Sequence, residues 1–365
     1  MRALTHCLLI TFLVLGWAPA ATSSIGCGKT FASGTYRIID QQVTRTYRVF
    51  VPSRYQPGTA YPLVVVFHGW GGDENEFLAD ENVTQLAEER GYIVVAPRGL
   101  GSSGPDSNPN SWSFRGSTTG LAGSAQDESR TAGSAAASIC DVTRTRNFTY
   151  PSCKPVARNT CSWTQCQADD VAFTLALIHE IESKLCVDST RVFTAGGSNG
   201  GMFSWELGQN AASAPTFRAI ASIIGLPHRG YLAPPGKRGG MPVLVVTGTH
   251  DTTVPPGRWE DPQYTTTSDG EAYFYTGATA MTRAWGAADG CPYGGTPATS
   301  FDTGTKQADC RTYCGQRAAG WSGGNARAGW PKVLDCRIPM GHTYSFDWSW
   351  KLILDFFDAQ GQGRR

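Results

Sequence analysis

The chain has 365 residues, of which 17% are charged, and 31 Lys and Arg stand against 30 Asp and Glu. That balance gives no electrostatic case for a nucleic acid or an anionic membrane as partner. Hydrophobic residues at 41%, with eleven Trp, supply enough apolar area for a sizeable core and exclude a disordered chain.

In chain order, the first feature is a signal peptide over residues 1–20. Arg2 supplies the positive end, Leu8 to Trp17 the apolar run, and Ala18-Pro19-Ala20 the small-residue cleavage site. The run is shorter than the roughly 20 apolar residues a bilayer crossing needs. The expectation is an exported protein, with no membrane attachment after cleavage. Cleavage removes Cys7 and leaves ten cysteines: Cys27, Cys140, Cys153, Cys161, Cys166, Cys186, Cys291, Cys310, Cys314 and Cys336. An even set in an exported chain reads as disulfides. Ten cysteines allow on the order of a thousand pairings, so the sequence leaves connectivity open. Zinc is the competing reading, but neither Cys310/Cys314 nor Cys161/Cys166 has a His near it. Asn82 and Asn147 head Asn-x-Thr triplets, which are glycosylation acceptors if the host is eukaryotic.

Thr44 to Val51 is rich in β-formers, and Leu63 to Phe67 and Tyr92 to Ala96 are short apolar runs without alternation. Such runs suit strands buried on both faces of a parallel sheet. Ala79 to Arg90 reads as a helix closed by Gly91. Asp169 and Asp170 start another, with Phe173, Leu177, Ile181 and Leu185 recurring every fourth residue. Strand Arg191 to Ala195, a helix from Asn199, strands Ala219 to Ile224 and Pro242 to Thr247, a helix over Ala278 to Ala287 and strand Val333 to Ile338 follow. The last helix sets Phe346, Trp350, Ile353 and Phe357 on one face. Alternating strands and helices predict an α/β fold with a mostly parallel sheet, as one domain over residues 21–365. Two Gly-rich, cysteine-bearing segments, 101–167 and 290–330, interrupt the rhythm and read as disulfide-pinned loop insertions.

Gly196-Gly197-Ser198-Asn199-Gly200 is a G-x-S-x-G between a β-branched strand and a helix. This is the layout of a nucleophile elbow, with Ser198 as nucleophile. A serine hydroxyl needs a base, and the order on such a scaffold is Ser, acid, His. His342, between the last strand and the last helix, follows a good acid candidate; His228 is the runner-up. Asp251 stands just after the buried run Pro242 to Thr247 and is the chosen acid. Asp302, Asp309 and Asp335 also precede His342, but the first two lie in the cysteine-rich segment and Asp335 lies within a strand. The oxyanion of a tetrahedral intermediate needs donors, for which the Asn199 amide and the Trp70 amide are chosen. Trp70 lies in the Gly-rich loop His68-Gly69-Trp70-Gly71-Gly72, where His68 reads as a loop brace. No Lys-Ser or Lys-Thr follows to make this a phosphate loop.

Together HGWGG, DDVAF, GGSNGG, THD and MGH resemble the secreted feruloyl esterase and polyhydroxybutyrate depolymerase group of α/β-hydrolases, over most of the chain beyond the signal. The resemblance implies carboxylic ester hydrolysis with no metal or organic cofactor. It puts Ser198, Asp251 and His342 in the triad, with the Trp70 and Asn199 amides in the hole. Feruloyl esters of cell-wall polysaccharide are the expected substrates. Trp70, Trp112 and Trp163 are named as substrate contacts, and Trp321 and Trp330 lie in the second insertion. A polyester such as polyhydroxybutyrate is the alternative. A peptidase of the same fold and a binding protein on an inactive hydrolase scaffold are the remaining readings.

Overall fold

The computed structural model describes residues 23–102, 109–123, 138–145, 149–232, 236–238, 240–260, 264–266, 272–291, 299–304, 307–312, 314 and 330–361. The expected signal peptide, Asn147 and Trp321 lie outside the described residues. Strands β1 (Gly34–Asp40) and β2 (Val43–Phe50) form a hairpin, followed by β3 (Tyr61–Phe67), α1 (Glu81–Arg90) and β4 (Ile93–Pro97). Then come α2 (Asp170–Lys184), β5 (Val187–Gly197), α3 (Asn199–Gln209), β6 (Ala219–Ile223) and β7 (Val243–Gly248). A small hairpin of β8 (Tyr264–Thr266) and β9 (Phe274–Thr276) precedes α4 (Ala278–Ala288). The chain continues through β10 (Thr299–Ser300), β11 (Asp309–Thr312), β12 (Val333–Ile338) and α5 (Phe346–Gly361).

Ten strands make one sheet in the order β1-β2-β4-β3-β5-β6-β7-β12-β11-β10. The six from β4 to β12 are parallel, and the two pairs at the edges are antiparallel. Every residue of β4, β6, β7 and β12 is buried. That explains their unalternating apolar sequences, because helices cover both faces. One face carries Val65 and Phe67 with α2, α3 and α4, through Phe173, Trp205 and Trp285. The other carries Val64 and Val66 with α1 and α5, through Val83, Trp350 and Phe357.

The helix ends follow local chemistry. Asp80 caps α1 by accepting from the Asn82 amide, so the helix begins two residues after the expected Ala79. Gly91 closes it in the left-handed conformation at φ 69°. Asp169 caps α2 through the Val171 and Ala172 amides.

Two features depart from the sequence reading. β1 was not expected; its hairpin turns on Gln41 and Gln42, both at positive φ (48° and 65°), a turn usually marked by Asn-Gly. Segment 290–330 is not wholly a loop insertion, since β10 and β11 extend the sheet beyond β12. Cys310 and Cys336 face each other in the β11–β12 register and are joined. The other disulfides are Cys27–Cys186, Cys140–Cys161, Cys153–Cys166 and Cys291–Cys314. Two of them close within the 101–167 insertion. Among the described residues, no helix is long and apolar enough to cross a membrane.

Candidate active site

β5 runs directly into α3, and Ser198 is the residue at the bend, with φ 51° and ψ −117°. Such a backbone costs a non-glycine residue roughly 1–3 kcal/mol. The surroundings hold it there. The Ser198 amide donates to Ile223 O at 2.8 Å, and a Cβ on Gly200 would collide with the Phe67 carbonyl. The bend lifts the hydroxyl above the carboxyl edge of the sheet, where ligands of open α/β sheets bind.

Asp251 and His342 reach the same edge from neighbouring parallel strands. β7 ends at Gly248 and β12 at Ile338, which are register partners, so the loops that follow emerge side by side. His342 Nε2 lies 2.9 Å from Ser198 Oγ, and His342 Nδ1 lies 2.8 Å from Asp251 Oδ2. The Asp251 side chain is fully buried, and its Oδ1 accepts from the Thr253 and Val254 amides at 2.9 and 2.8 Å. The carboxylate is thus fixed from one side and presents its other oxygen to the imidazole. Nδ1–H donates to it, which leaves Nε2 as the acceptor facing the serine.

The loop His68 to Gly72 follows β3, the strand beside β5. Within it the Gly69 amide donates to Glu76 Oε1, Gly71 to Asn110 O and Gly72 to Gly69 O. Asn199 sits at the first position of α3, where the first amides have no intrahelical acceptor. Its side chain is fully buried, with Oδ1 accepting from the Trp112 amide at 2.8 Å and Nδ2 donating to the Trp112 carbonyl at 3.0 Å. This two-bond clamp ties the elbow to the 101–167 insertion. Asp170 makes a second tie. It accepts from the Ser113 amide and hydroxyl, from Gln165 Nε2 and from Arg45, whose guanidinium is buried.

A cavity of about 470 Å³ opens on Ser198 and His342. Trp163, Tyr273 and Tyr275 line one part of it with Met202, and Glu76 and Tyr344 line another. Trp70 stands at its edge, 39% exposed, and donates from its indole to Trp163 O. Trp112 does not reach the cavity, which corrects its expected place as a substrate contact. It is fully buried between Phe67 and Phe203, and its indole donates to His68 O. Trp330 packs on Phe301 and Phe356, away from the site.

The two other buried histidines have structural partners. His68 accepts from the Gly99 amide and donates to Gly69 O, and burial pushes it down to about 4. His228, the alternative base, accepts from the Trp163 indole and donates to Phe274 O. It is stacked between Phe114 and Tyr275, and burial pushes it down to about 3. Neither is bonded to Ser198. Among the described residues, no cluster of three His, Cys, Asp or Glu is arranged to hold a metal ion.

No protein-family model matches the chain. Sequence relatives do exist. The chain is 26% identical over 240 residues to a probable feruloyl esterase C of Aspergillus flavus, covering 64% of this chain and 63% of that protein. It is 27% identical over 257 residues to feruloyl esterase C of Emericella nidulans, covering 68% and 69%. The chain therefore spans less than two thirds of the length of the Aspergillus flavus relative. An acetyl xylan esterase structure from Aspergillus awamori superposes with a TM-score of 0.50 at 14% identity, covering 89% of this chain and 99% of that one. The chain is similar to feruloyl esterases and has the fold of an α/β-hydrolase.

Several residues that shape the site carry no motif. Glu76 and Tyr344 lie just beyond HGWGG and MGH, and Tyr273 and Tyr275 come from the short β9 hairpin. Their closeness to the motifs was the one available signal for the first two. Burial pushes the Glu76 carboxyl up to about 7, against the pull of the Gly69 amide.

Proposed function

We propose that the chain is a secreted serine hydrolase of carboxylic esters, acting on aromatic acyl esters of the feruloyl type. The observation that carries this reading is the continuous relay from Asp251 through His342 to Ser198 at the floor of an aromatic-lined cavity. Ser198 Oγ attacks the ester carbonyl as His342 Nε2 takes its proton, and Asp251 stabilises the imidazolium that forms. The carbonyl oxygen becomes an oxyanion, for which the Asn199 and Trp70 amides are the proposed donors. Collapse expels the alcohol, which takes its proton from His342. Water then attacks the acyl-enzyme with His342 again as base, releasing the acid and restoring Ser198.

Trp163, Tyr273 and Tyr275 offer flat apolar surface suited to a cinnamoyl ring. A recessed cavity of about 470 Å³ suits such a group better than a polyester chain, which favours a shallow cleft. The feruloyl esterases among the relatives point to the same acyl class. Trapping tests the nucleophile directly. A serine-directed fluorophosphonate should add to one site, found by mass spectrometry on the peptide containing Ser198. Labelling elsewhere, or none, would remove the proposed nucleophile.

A further inference from the structure

The cavity has two walls of different chemistry, and the sheet separates them. Trp163, Tyr273, Tyr275 and Met202 belong to the core on the α2–α3–α4 face. Tyr344, with Phe77 and Phe346, packs into the core on the α1–α5 face. Ser198 stands at the edge between them, so the walls lie on opposite sides of the nucleophile. An ester straddling Ser198 places its acyl group on one side and its alcohol on the other. The alcohol leaves with a proton from His342, and Tyr344 is two residues beyond that histidine.

Glu76 is the polar group of this second wall. The position a Cβ on Gly69 would take is 3.6 Å from Ser198 Cβ and 3.8 Å from Glu76 Oε1, so the carboxyl is about one residue's width from the nucleophile. Oε1 is occupied, since it accepts from the Gly69 amide at 2.8 Å and from the Tyr344 hydroxyl. Oε2 accepts no hydrogen bond from any described residue, although the carboxyl lines the cavity. An acceptor facing the cavity beside the serine can exchange a hydrogen bond from water for one from a ligand hydroxyl. The Tyr344 ring lies against Gly197, where a Cβ would stand 2.5 Å from Cε1, so the partner that orients Glu76 is itself held in place.

We propose that Glu76, held by Tyr344, selects esters whose leaving alcohol bears a further hydroxyl, as a sugar does, by accepting that hydroxyl's hydrogen bond at Oε2. This rests on the serine-esterase reading above. Both groups are positioned to touch the alcohol half, so the preference for a sugar ester over a simple alkyl ester is the property they set.

The test compares two esters of ferulic acid, the methyl ester and an ester to the primary hydroxyl of a methyl pentofuranoside. Glu76→Gln keeps an oxygen for the Gly69 amide but replaces the Oε2 acceptor by a donating NH₂. Measured at pH 8.5, above the value of about 7 to which burial pushes the Glu76 carboxyl, the kcat/KM for the pentosyl ester should fall about tenfold further than that for the methyl ester, the loss expected for one hydrogen bond to a charged group. Tyr344→Phe keeps the ring against Gly197 and frees the carboxyl; it should shift the same ratio in the same direction, and it serves if the Glu76 variant does not fold. Equal losses on both esters would make the pair only a brace for the Gly69 loop and overturn the proposal. Wild-type protein that hydrolyses neither ester would refute the esterase reading itself, a different outcome from an unchanged ratio.

Discussion

Replacing Glu76 by Gln removes the ionisable group in the cavity whose ordinary titration range is most clearly displaced upward. In the folded protein its carboxyl titrates at about 7, whereas in the unfolded chain it titrates near 4.5. Between those values the folded state holds a proton that the unfolded state releases. Stability from this group is therefore present at low pH and is lost as pH rises through about 7. One unit of displacement corresponds to about 1.4 kcal/mol, and half-titration at pH 7 takes off about 0.5 kcal/mol. Lowering the pH from 7 to 5 should thus stabilise wild type by about 2 kcal/mol through Glu76 alone. Gln cannot take up that proton, but its amide oxygen still accepts from the Gly69 amide. Urea unfolding at pH 5, 6 and 7, with disulfides intact, gives the two stability curves. The variant curve should fall below wild type by about 2 kcal/mol more at pH 5 than at pH 7. Parallel curves across this range would show that burial does not hold Glu76 protonated, and the reasoning would fail.

Other outcomes follow from single contacts. Asn199→Ala leaves the buried Trp112 amide and carbonyl without their partners and should cost about 2–5 kcal/mol, read by urea unfolding; a loss under about 1 kcal/mol would contradict the clamp. Trp163→Ala removes both a cavity wall and the donor to His228. It should cost about 3–5 kcal/mol and raise KM for cinnamoyl esters more than for acetyl esters, and an unchanged KM ratio would remove Trp163 from acyl recognition. His228 is held neutral, so below about 6.5 the unfolded chain binds a proton that the folded protein refuses, and stability falls as pH falls. That loss is about 2 kcal/mol at pH 5 relative to pH 7, and His228→Gln should abolish it in the same unfolding series; a variant curve parallel to wild type would refute it.

The parts of the fold that were legible in the sequence are those whose signal is local. Val64 to Phe67 and Val243 to Val246 are apolar because helices pack on both faces, and Asp80, Asp169 and Gly91 mark helix ends by their own bonding. The elbow was legible for the same reason: Gly200 stands where only hydrogen fits against Phe67. Asp251 and His342 were readable from their places after β7 and β12. What the sequence hid is long-range. The β1–β2 turn uses two glutamines at positive φ, which resembles no common turn signal. Trp112 read as a ligand surface because it sits in a polar insertion. Asn199 and Asp170 instead pull that insertion into the core. Glu76 and Tyr344 lie 268 positions apart in the chain, and only the parallel topology brings them together.

The most direct test of the account is the steady-state hydrolysis of methyl ferulate by purified wild type and Ser198→Ala, with unfolding temperatures measured on the same samples. The account predicts turnover by wild type and a loss of at least about 10³-fold in the variant at an unchanged unfolding temperature, with Asp251→Asn and His342→Ala adding little to the serine loss when combined with it. A folded Ser198→Ala protein that hydrolyses the ester at the wild-type rate would contradict it.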